Sequence, residues 1–563
     1  MNFFKQVKNE LSKFIKYLNV KIVTIIFLLL VLVIPILLDK FNDDIGYTND
    51  VLVDGVIYNA NENWFAYEYS NIYNLELAQI DTNYTNELIN VYSEYLKPYI
   101  KEVANNTPVN KFDDFRANIV DSNDVIEAYM LKNEENYKLA LENKDVLPFL
   151  IDDEFINYTN KERTNRYQYL ENKLKIIDEI ILNHDYSLFL DYSKDLINEE
   201  KIKNQEKIKF LESEIIDDIE QEVLYSKEIN QLEASIKVLD IELDVLEMKR
   251  LYNGENDLNS YKYEAIGDYQ RSTISLFYLE KDKLIKEEYD ENIGSIQDRY
   301  DTYDDYLNGD YYRKLEKYQF KINRAIYCLE NDLADTAYTF DSTRSKLNIL
   351  YDAITFVSIF AILIGSFIGL ANEYTNGTIR LLMTRPISRT KLYLSKYLAG
   401  LIIIISVYLI MVIFGVILYG ITYGFNDLLI NNYGINGEVN YLLNYFKEML
   451  IILFTPIYYY TVCYVISSIF KNVAISVTVP MLLIFVDSVF ISLLIEYIDK
   501  NIVIYTPNFV TNLLMIINNN YVIEKLTASG VTVSLFVSFI LLISYSLIYL
   551  LIGLLFFKKV DIR

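Results

Sequence analysis

The chain has 563 residues but only two cysteines, one histidine and one tryptophan. Cys328 lies in a polar region and Cys463 in an apolar run, so an internal disulfide is not expected. A single histidine, His184, without a Cys/His cluster gives no pattern for a structural zinc site. No nucleophile, metal-ligand set or pair of acids stands out elsewhere. We therefore expect a chain that is not an enzyme and that holds no metal or cofactor of its own.

Long apolar runs are abundant, and hydrophobic residues make up 52% of the chain. They collect at the N-terminus and after about residue 350, and a helix needs about 20 apolar residues to cross a bilayer. We predict an all-α membrane protein whose six transmembrane helices are Val20–Leu38, Ile354–Leu370, Leu398–Gly420, Met449–Phe470, Val473–Leu494 and Val531–Phe557.

The first apolar run could also be read as a signal peptide. It is too long for one, however, and the sequence Asp39-Lys40-Phe41 stands where a small-residue cleavage site would be. We therefore predict a retained anchor, with residues 1–19 as a cytoplasmic amphipathic elbow helix and residues 20–38 as the first transmembrane helix.

Positive charge in short flanks predicts the orientation of the spans. Lysines and arginines concentrate in three places, which a six-helix count puts on one side of the membrane: residues 1–21, the loop 371–397 and the C-terminal residues 558–563. Both termini are thus expected in the cytoplasm of a multi-pass cell-membrane protein. Residues 350–563 would hold the second to sixth helices, and residues 39–349 would form an extracellular domain.

The predicted extracellular domain is strongly acidic. The formal net charge is −25, and residues 1–38 carry five Lys and one acid while residues 350–563 carry twelve Lys/Arg and ten acids. Residues 39–349 therefore carry a net charge of −31. A surface of this charge repels nucleic acid, which we exclude as a partner, and it suits cationic ligands or serves solubility alone. The many tyrosines of this region fit either core packing or a binding surface.

A heptad pattern predicts that this domain is mainly helical, with an antiparallel coiled-coil stalk. Apolar residues fall at successive a and d positions, and upstream Ile208, Leu211 and Ile215 share the register, which Asp218 and Glu222 interrupt. A turn is expected at 253–257, followed by a helical stretch that returns from about Leu258. The six seam residues are Ile229, Leu232, Ile236, Leu239, Leu243 and Leu246.

The loop after the second helix is the most informative segment. Gly377 permits a tight turn or close packing, Thr378 can cap a helix, and Leu381 and Leu382 form an apolar knob. Pro386 breaks the helix before Ser388, which is a plausible N-cap for the next one. These features describe either a rigid knob that docks into a partner or an ordinary positively charged inner loop.

This loop resembles that of the type-2 ABC-transporter permeases, which carry the pattern E-x-x-x-G-T-x-x-x-L-L-x-x-P-[IV]-S-R-x-x-x-x-x-x-K at the same place. The N-terminal run Lys8–Leu11 resembles the elbow helix of that family, and the segment Tyr505–Asn508 resembles its short re-entrant helices. The resemblance covers residues 1–40 and 350–563, not the large insertion between the first two helices. The matching loop residues are Glu373, Gly377, Thr378, Leu382, Pro386, Ser388, Arg389 and Lys396.

The resemblance implies a division of labour. The chain has no G-x-x-x-x-G-K-[ST] phosphate loop, so ATP and Mg²⁺ would bind to a separate ABC ATPase subunit. It also implies a second permease subunit, identical or different, in the same bilayer. The elbow helix and the loop 371–397 would then transmit ATPase movement to the membrane helices.

Three residues are candidates for a transport path. Asp487 lies within the fifth apolar run, where an acid needs a partner or a water-filled cavity, and Tyr459 and Tyr460 on the preceding helix could supply one. Asp487 can equally make a structural hydrogen bond within the bundle.

The main functional prediction is therefore an exporter permease for an amphipathic or peptide-like substrate. The alternative is a surface protein that does not transport, similar to phage receptors or type VII secretion accessory subunits, and that acts through its outer domain. A permease that transmits mechanical force through an outer stalk is less favoured, because such proteins usually have four helices.

Overall fold

The computed structural model forms two compact units, the membrane unit (residues 1–42 and 275–563) and the central unit (residues 43–274). Residues 275–349, which the sequence analysis assigns to the outer domain, thus group with the membrane unit. The residues that the structure describes are 3–16, 18–32, 50–53, 56–59, 64–71, 82–105, 115–116, 119–144, 151, 153–214, 219–254, 256–258, 260–283, 286, 302–307, 311–338, 343–383, 387–434, 437–497, 500–517, 523, 526 and 531–559.

The membrane unit begins with two helices, α1 (Phe3–Lys16) and α2 (Leu18–Leu32). Helix α1 is amphipathic, and Val7, Glu10 and Phe14 lie on its buried face because they are spaced by three and four residues. The axes of α1 and α2 differ by 70°. This bend fits an elbow helix followed by a spanning helix.

The central unit contains one small hairpin and many helices. Strands β1 and β2 pair antiparallel, from Asp50 opposite Asn59 to Val53 opposite Val56. The last helix of this series, Tyr261–Lys281, continues past Ile274, the residue at which the central unit ends. The elements are β1 (Asp50–Val53), β2 (Val56–Asn59), α3 (Trp64–Asn71), α4 (Asn83–Asn105), α5 (Ser122–Leu131), α6 (Glu134–Glu142), α7 (Asp153–Ile156), α8 (Asn160–Asn183), α9 (Tyr186–Glu214), α10 (Ile219–Tyr252) and α11 (Tyr261–Lys281).

Helices α9 and α10 form an antiparallel pair. Lys194 pairs with Glu247 and Lys207 with Glu228, so positions advance along one helix as they recede along the other. Two of the upstream heptad residues, Ile208 and Leu211, therefore belong to the partner helix α9, and Ile215 lies outside the described residues. The partner of the 229–246 seam is this helix, which precedes it, rather than the stretch after Leu258. The coiled coil itself stays a prediction.

Tyrosines contribute heavily to the core of the central unit. Tyr92, Tyr99, Tyr186 and Tyr192 are all buried in one apolar cluster with residues of α3, α4, α8 and α9. Burial raises the pKa of the Tyr186 hydroxyl to about 12. Among the described residues, core packing thus accounts for much of the tyrosine content.

The described residues in the rest of the membrane unit form mainly helices, together with a second small hairpin. A 3₁₀ turn spans Asn426–Leu429. The elements are α12 (Tyr303–Tyr306), α13 (Tyr312–Glu330), α14 (Thr343–Asp352), α15 (Ile354–Ile368), α16 (Leu370–Thr375), α17 (Ile379–Met383), α18 (Arg389–Tyr423), β3 (Asn431–Gly434), β4 (Gly437–Asn440), α19 (Tyr441–Ile452), α20 (Phe454–Phe470), α21 (Val473–Tyr497), α22 (Lys500–Val503), α23 (Pro507–Val510), α24 (Leu513–Ile517) and α25 (Leu535–Lys559).

Four stretches within the described residues are long and apolar enough to cross a membrane: Ile354–Thr375, Arg389–Tyr423, Tyr441–Phe470 and Leu535–Lys559. The bent pair α1 and α2 makes a fifth candidate if the two helices count as one span. An all-α, multi-pass membrane protein is thus confirmed. The predicted fifth span falls on α21, whose side chains are described only as far as Phe485, so six spans stay a prediction.

Tyrosines also join α18 and α20 in the interior of the membrane unit. The Tyr460 hydroxyl donates to the Tyr397 carbonyl at 2.8 Å, and the Tyr464 hydroxyl to the Tyr393 carbonyl at 2.7 Å. Gly400 makes the close approach possible, because a Cβ atom there would lie 2.3 Å from the Tyr460 oxygen.

A buried arginine organises the end of the membrane unit near Tyr419. Arg344 of α14 is fully buried, and its Nη1 donates to the side-chain oxygen of Asn432 at 2.7 Å. Its Nη2 donates to the Ala334 carbonyl, and its guanidinium lies 5.5 Å from the centre of the Tyr441 ring. We call this group (Arg344, Ala334, Asn432 and Tyr441) the Arg344 junction.

Candidate functional site

Four charged side chains meet where α1, α16 and α18 come together. The Nζ atom of Lys396 lies 2.7 Å from Oε1 of Glu373 and 3.2 Å from Oε2 of Glu10. The Nζ atom of Lys13 lies 2.8 Å from the same oxygen of Glu373. We call Glu10, Lys13, Glu373 and Lys396 the charge cluster. Its two cations and two anions balance.

Burial makes this cluster unusual. The Lys396 side chain is 0% exposed and those of Glu10 and Glu373 are 7% and 8% exposed, whereas Lys13 is 37% exposed. The ring of Phe14 covers the cluster, with its centroid 5.3 Å from the Lys396 nitrogen. Buried charges are expensive to desolvate, so such a set persists only when its members pair with one another. Its geometry therefore defines how the three helices meet.

Local sequence explains how each helix contributes. Glu10 and Lys13 are three residues apart and hence adjacent on α1, and Glu10 shares the buried face with Phe14. Glu373 lies in α16, the short extension of the second predicted span, and Lys396 lies two turns into α18. Charged residues of the N-terminal segment and of the loop 371–397 are thus joined by direct ion pairs.

The turn after Glu373 returns the chain to the cluster. Gly377 has φ +68°, a left-handed conformation that favours glycine, and no neighbouring atom would obstruct a side chain there. Of the two roles open to this glycine, the structure thus shows the tight turn and not close packing. The Thr378 hydroxyl donates to the Glu373 carboxylate, so this side chain adds a further hydrogen bond to the buried acid.

The short helix α17 has one side turned inward and one outward. Ile379 is 4% exposed, whereas Leu381 is 65% exposed. Leu381 thus offers an apolar side chain at the surface close to the charge cluster in sequence. The side chain of Leu382 and the whole of Pro386 lie outside the described residues.

Helix α18 begins as the sequence predicts. Ser388 is its N-cap, and the side-chain oxygen accepts a hydrogen bond from the Lys391 amide at 3.4 Å. Arg389 extends to the last helix, where its Nη1 donates to the Lys558 carbonyl at 2.8 Å. A cation near the final carbonyls of a helix is favourable because that end of the helix dipole is negative.

The proposed path residues lie away from the charge cluster in sequence. Tyr460 is fully buried between α18 and α20. Tyr459 is 4% exposed and packs in an apolar cluster with Phe509 and Val510 of α23. The side chain of Asp487 lies outside the described residues. A role for these residues in transport stays a prediction.

The roles of Glu10 and Lys13 were not foreseen from the sequence. A signal was present, because Glu10 is the single acid among five lysines in residues 1–38. It also precedes Phe14 by four residues, which places both on one face of a helix. The contact from Arg389 to Lys558 had no such signal.

Comparison with known proteins identifies the family of the chain. Residues 6–562 match the family model described as ABC-2 family transporter protein. No curated protein and no solved structure matches the chain. The resemblance drawn from the loop covers only the two membrane segments, whereas the family model extends through the central region as well. Since this model covers nearly the whole sequence, the chain belongs to the ABC-2 family of transporter proteins and is a membrane-embedded permease subunit of an ABC transporter.

Proposed function

We propose that this permease exports its substrate and that α1 and the loop 371–397 form its contact with the partner ATPase. Family membership implies that partner. The observation that carries the proposal is the charge cluster, because it joins the elbow helix, the loop and the third predicted span through ion pairs of 2.7–3.2 Å.

The cluster makes these three elements move together. A displacement of the loop would move Glu373, and the buried ion pairs would transmit that movement to α1 and α18. Leu381 supplies the exposed apolar contact at which such a push could be applied. Burial of this side chain against a partner would favour binding, because apolar surface would be removed from water.

The proposed topology has six spans with both termini in the cytoplasm. It is supported by the lysines and arginines at both termini and in the loop 371–397. In this arrangement residues 39–349 are extracellular. A second permease subunit would complete the transporter, and ATP and Mg²⁺ would bind on the ATPase.

The proposed substrate is amphipathic or peptide-like. The net charge of −31 on residues 39–349 favours cationic molecules at the outer side, including cationic peptides. Binding of a cationic peptide to the full chain should then weaken with added salt, since ionic strength screens exposed charges. Binding that is insensitive to salt would contradict this role for the acidic region.

Co-purification tests the ATPase contact. The chain would be expressed with the ATPase encoded beside it, as wild type and as Leu381→Asp. The matched control is Leu429→Asp, which puts the same charge on another exposed leucine, 78% exposed, beyond the far end of α18. We expect at least tenfold less ATPase with Leu381→Asp and an unchanged amount with Leu429→Asp.

Two other outcomes would change the interpretation. Equal ATPase retention by all three proteins would move the contact away from Leu381. If the wild type retained no ATPase, the alternative of a receptor or secretion accessory protein that acts through residues 39–349 would become the better reading.

A further inference from the structure

An apolar groove lies between α1, α2 and α18. Its volume is about 380 Å³, which is within the range of small-molecule sites. The groove exists because α1 and α2 meet at 70° and α18 passes beside both. Its apolar walls are Leu11, Ile15, Val20, Ile25, Ile403 and Val407.

The groove opens at its side. Ile15, Ile25 and Ile402 line it and are 52%, 58% and 40% exposed. Helix α18 belongs to a span candidate, and α2 belongs to the bent one. In a bilayer the opening would therefore face the hydrocarbon of the lipids. An acyl chain is then the ligand that best matches the apolar walls of the groove.

The lining of the groove includes one positive charge. Lys21 lines it and is exposed. The segment 1–38 that holds this lysine has five lysines and one acid. A lysine at the boundary of an apolar groove keeps its ammonium group at the level of the headgroups and can pair with a lipid phosphate.

We propose that this groove binds an anionic phospholipid, with one acyl chain between α1, α2 and α18 and the phosphate paired to Lys21. The bound lipid would contact Leu11, next to Glu10, and Ile403, which follows Lys396 by two helical turns, about 10 Å. It would thus lie along α1 and α18, two of the helices that carry the charge cluster. The proposal does not depend on export or on the ATPase contact.

Lipid retention measured by native mass spectrometry tests the proposal. The full chain would be placed in nanodiscs of equal parts phosphatidylglycerol and phosphatidylcholine and then transferred to detergent. Lys21→Gln removes the phosphate contact, and Lys5→Gln, an exposed lysine of α1 outside the groove, is its control. Ser406→Phe fills the groove, and Thr422→Phe, an exposed position near the end of α18, is its control.

The wild type should retain phosphatidylglycerol in preference to phosphatidylcholine. Lys21→Gln should lower that preference about fivefold, the factor expected for one lysine near an anionic surface, with similar total lipid. Ser406→Phe should lower retention of both lipids, and the two controls should match the wild type.

Three results would overturn the proposal: no retained lipid, equal retention of the two lipids by the wild type, or a preference that Lys21→Gln leaves unchanged. An equal loss of lipid in Ser406→Phe and Thr422→Phe would show that the effect of filling is not specific to the groove, and would also count against it.

Discussion

Two fully buried cations lie towards opposite ends of α18, and the protein satisfies them in different ways. Lys396 faces two carboxylates, whereas Arg344 faces the neutral oxygens of Asn432 and Ala334 and the ring of Tyr441. Tyr419 of α18 lies next to the Arg344 junction. Along the helix it is about 35 Å from Lys396, which is close to the thickness of a bilayer core.

The difference predicts how each region responds to the loss of its buried cation. In the charge cluster Lys396 pairs with both buried acids, so its loss leaves Glu10 and Glu373 without the cation that they share. In the Arg344 junction the carbonyl of Ala334 and the amide oxygen of Asn432 accept from the arginine, so its removal leaves these two oxygens without that donor. The first region is therefore suited to holding helices in a fixed relation, and the second to anchoring a loop.

The largest effect is expected from Lys396→Met. It leaves Glu10 and Glu373 buried without their shared cation, and breaking a buried pair costs about 3–5 kcal/mol. The midpoint of thermal unfolding of the purified protein should fall markedly, while Lys391→Met, at an exposed lysine of the same helix, should change little. Adding Glu10→Gln to Lys396→Met should recover part of the loss, because the cluster becomes neutral again. The absence of any recovery would show that charge balance is not what stabilises the site.

A smaller loss is expected from Arg344→Met. The carbonyl of Ala334 and the amide oxygen of Asn432 lose their donors, which costs about 1–3 kcal/mol. Thermal unfolding measures the change, with Lys447→Met as the exposed control. A loss larger than that of Lys396→Met would contradict the greater cost expected for breaking the buried ion pairs of the charge cluster.

Substitutions of Gly377 test the backbone geometry next to the charge cluster without changing any charge. A Cβ atom has room at this position, so Gly377→Ala should lose only about 1–2 kcal/mol from its left-handed backbone. Gly377→Asn should lose less, because asparagine visits this conformation more readily. Thermal midpoints of both variants provide the measurement, and an asparagine variant no better than alanine would point to a cause other than φ.

The smallest effect concerns the reactivity of Cys328. Burial, reinforced by Asp335, raises the pKa of this thiol to about 12, so little thiolate is present at pH 8. Alkylation by a maleimide, followed by peptide mass spectrometry, should be slow in the folded wild type and fast in denaturant. Arg344→Met should accelerate it if the junction helps to close this part of the membrane unit. Rapid alkylation of the folded wild type would contradict the burial of Cys328.

Local patterns predicted much of the architecture. The apolar runs located the four candidate spans found among the described residues, because the bilayer imposes a length that any sequence can be searched for. The loop residues Gly377 and Ser388 were interpreted correctly, since a left-handed turn and an N-cap depend on neighbouring residues. The heptad seam predicted that α10 packs against another helix. It did not identify that helix, because a/d spacing describes the contact face of one helix only.

The sequence by itself determined that the chain is a helical, multi-pass membrane protein with a basic loop of the ABC-2 type and a strongly acidic middle region. Only the tertiary structure decided that Glu10 meets Lys396, 386 residues away, and that a groove opens beside them. Spans and turns arise from interactions between near neighbours, which leave a local pattern. Ion pairs between distant helices depend on how whole faces pack, and no short segment of the chain records that.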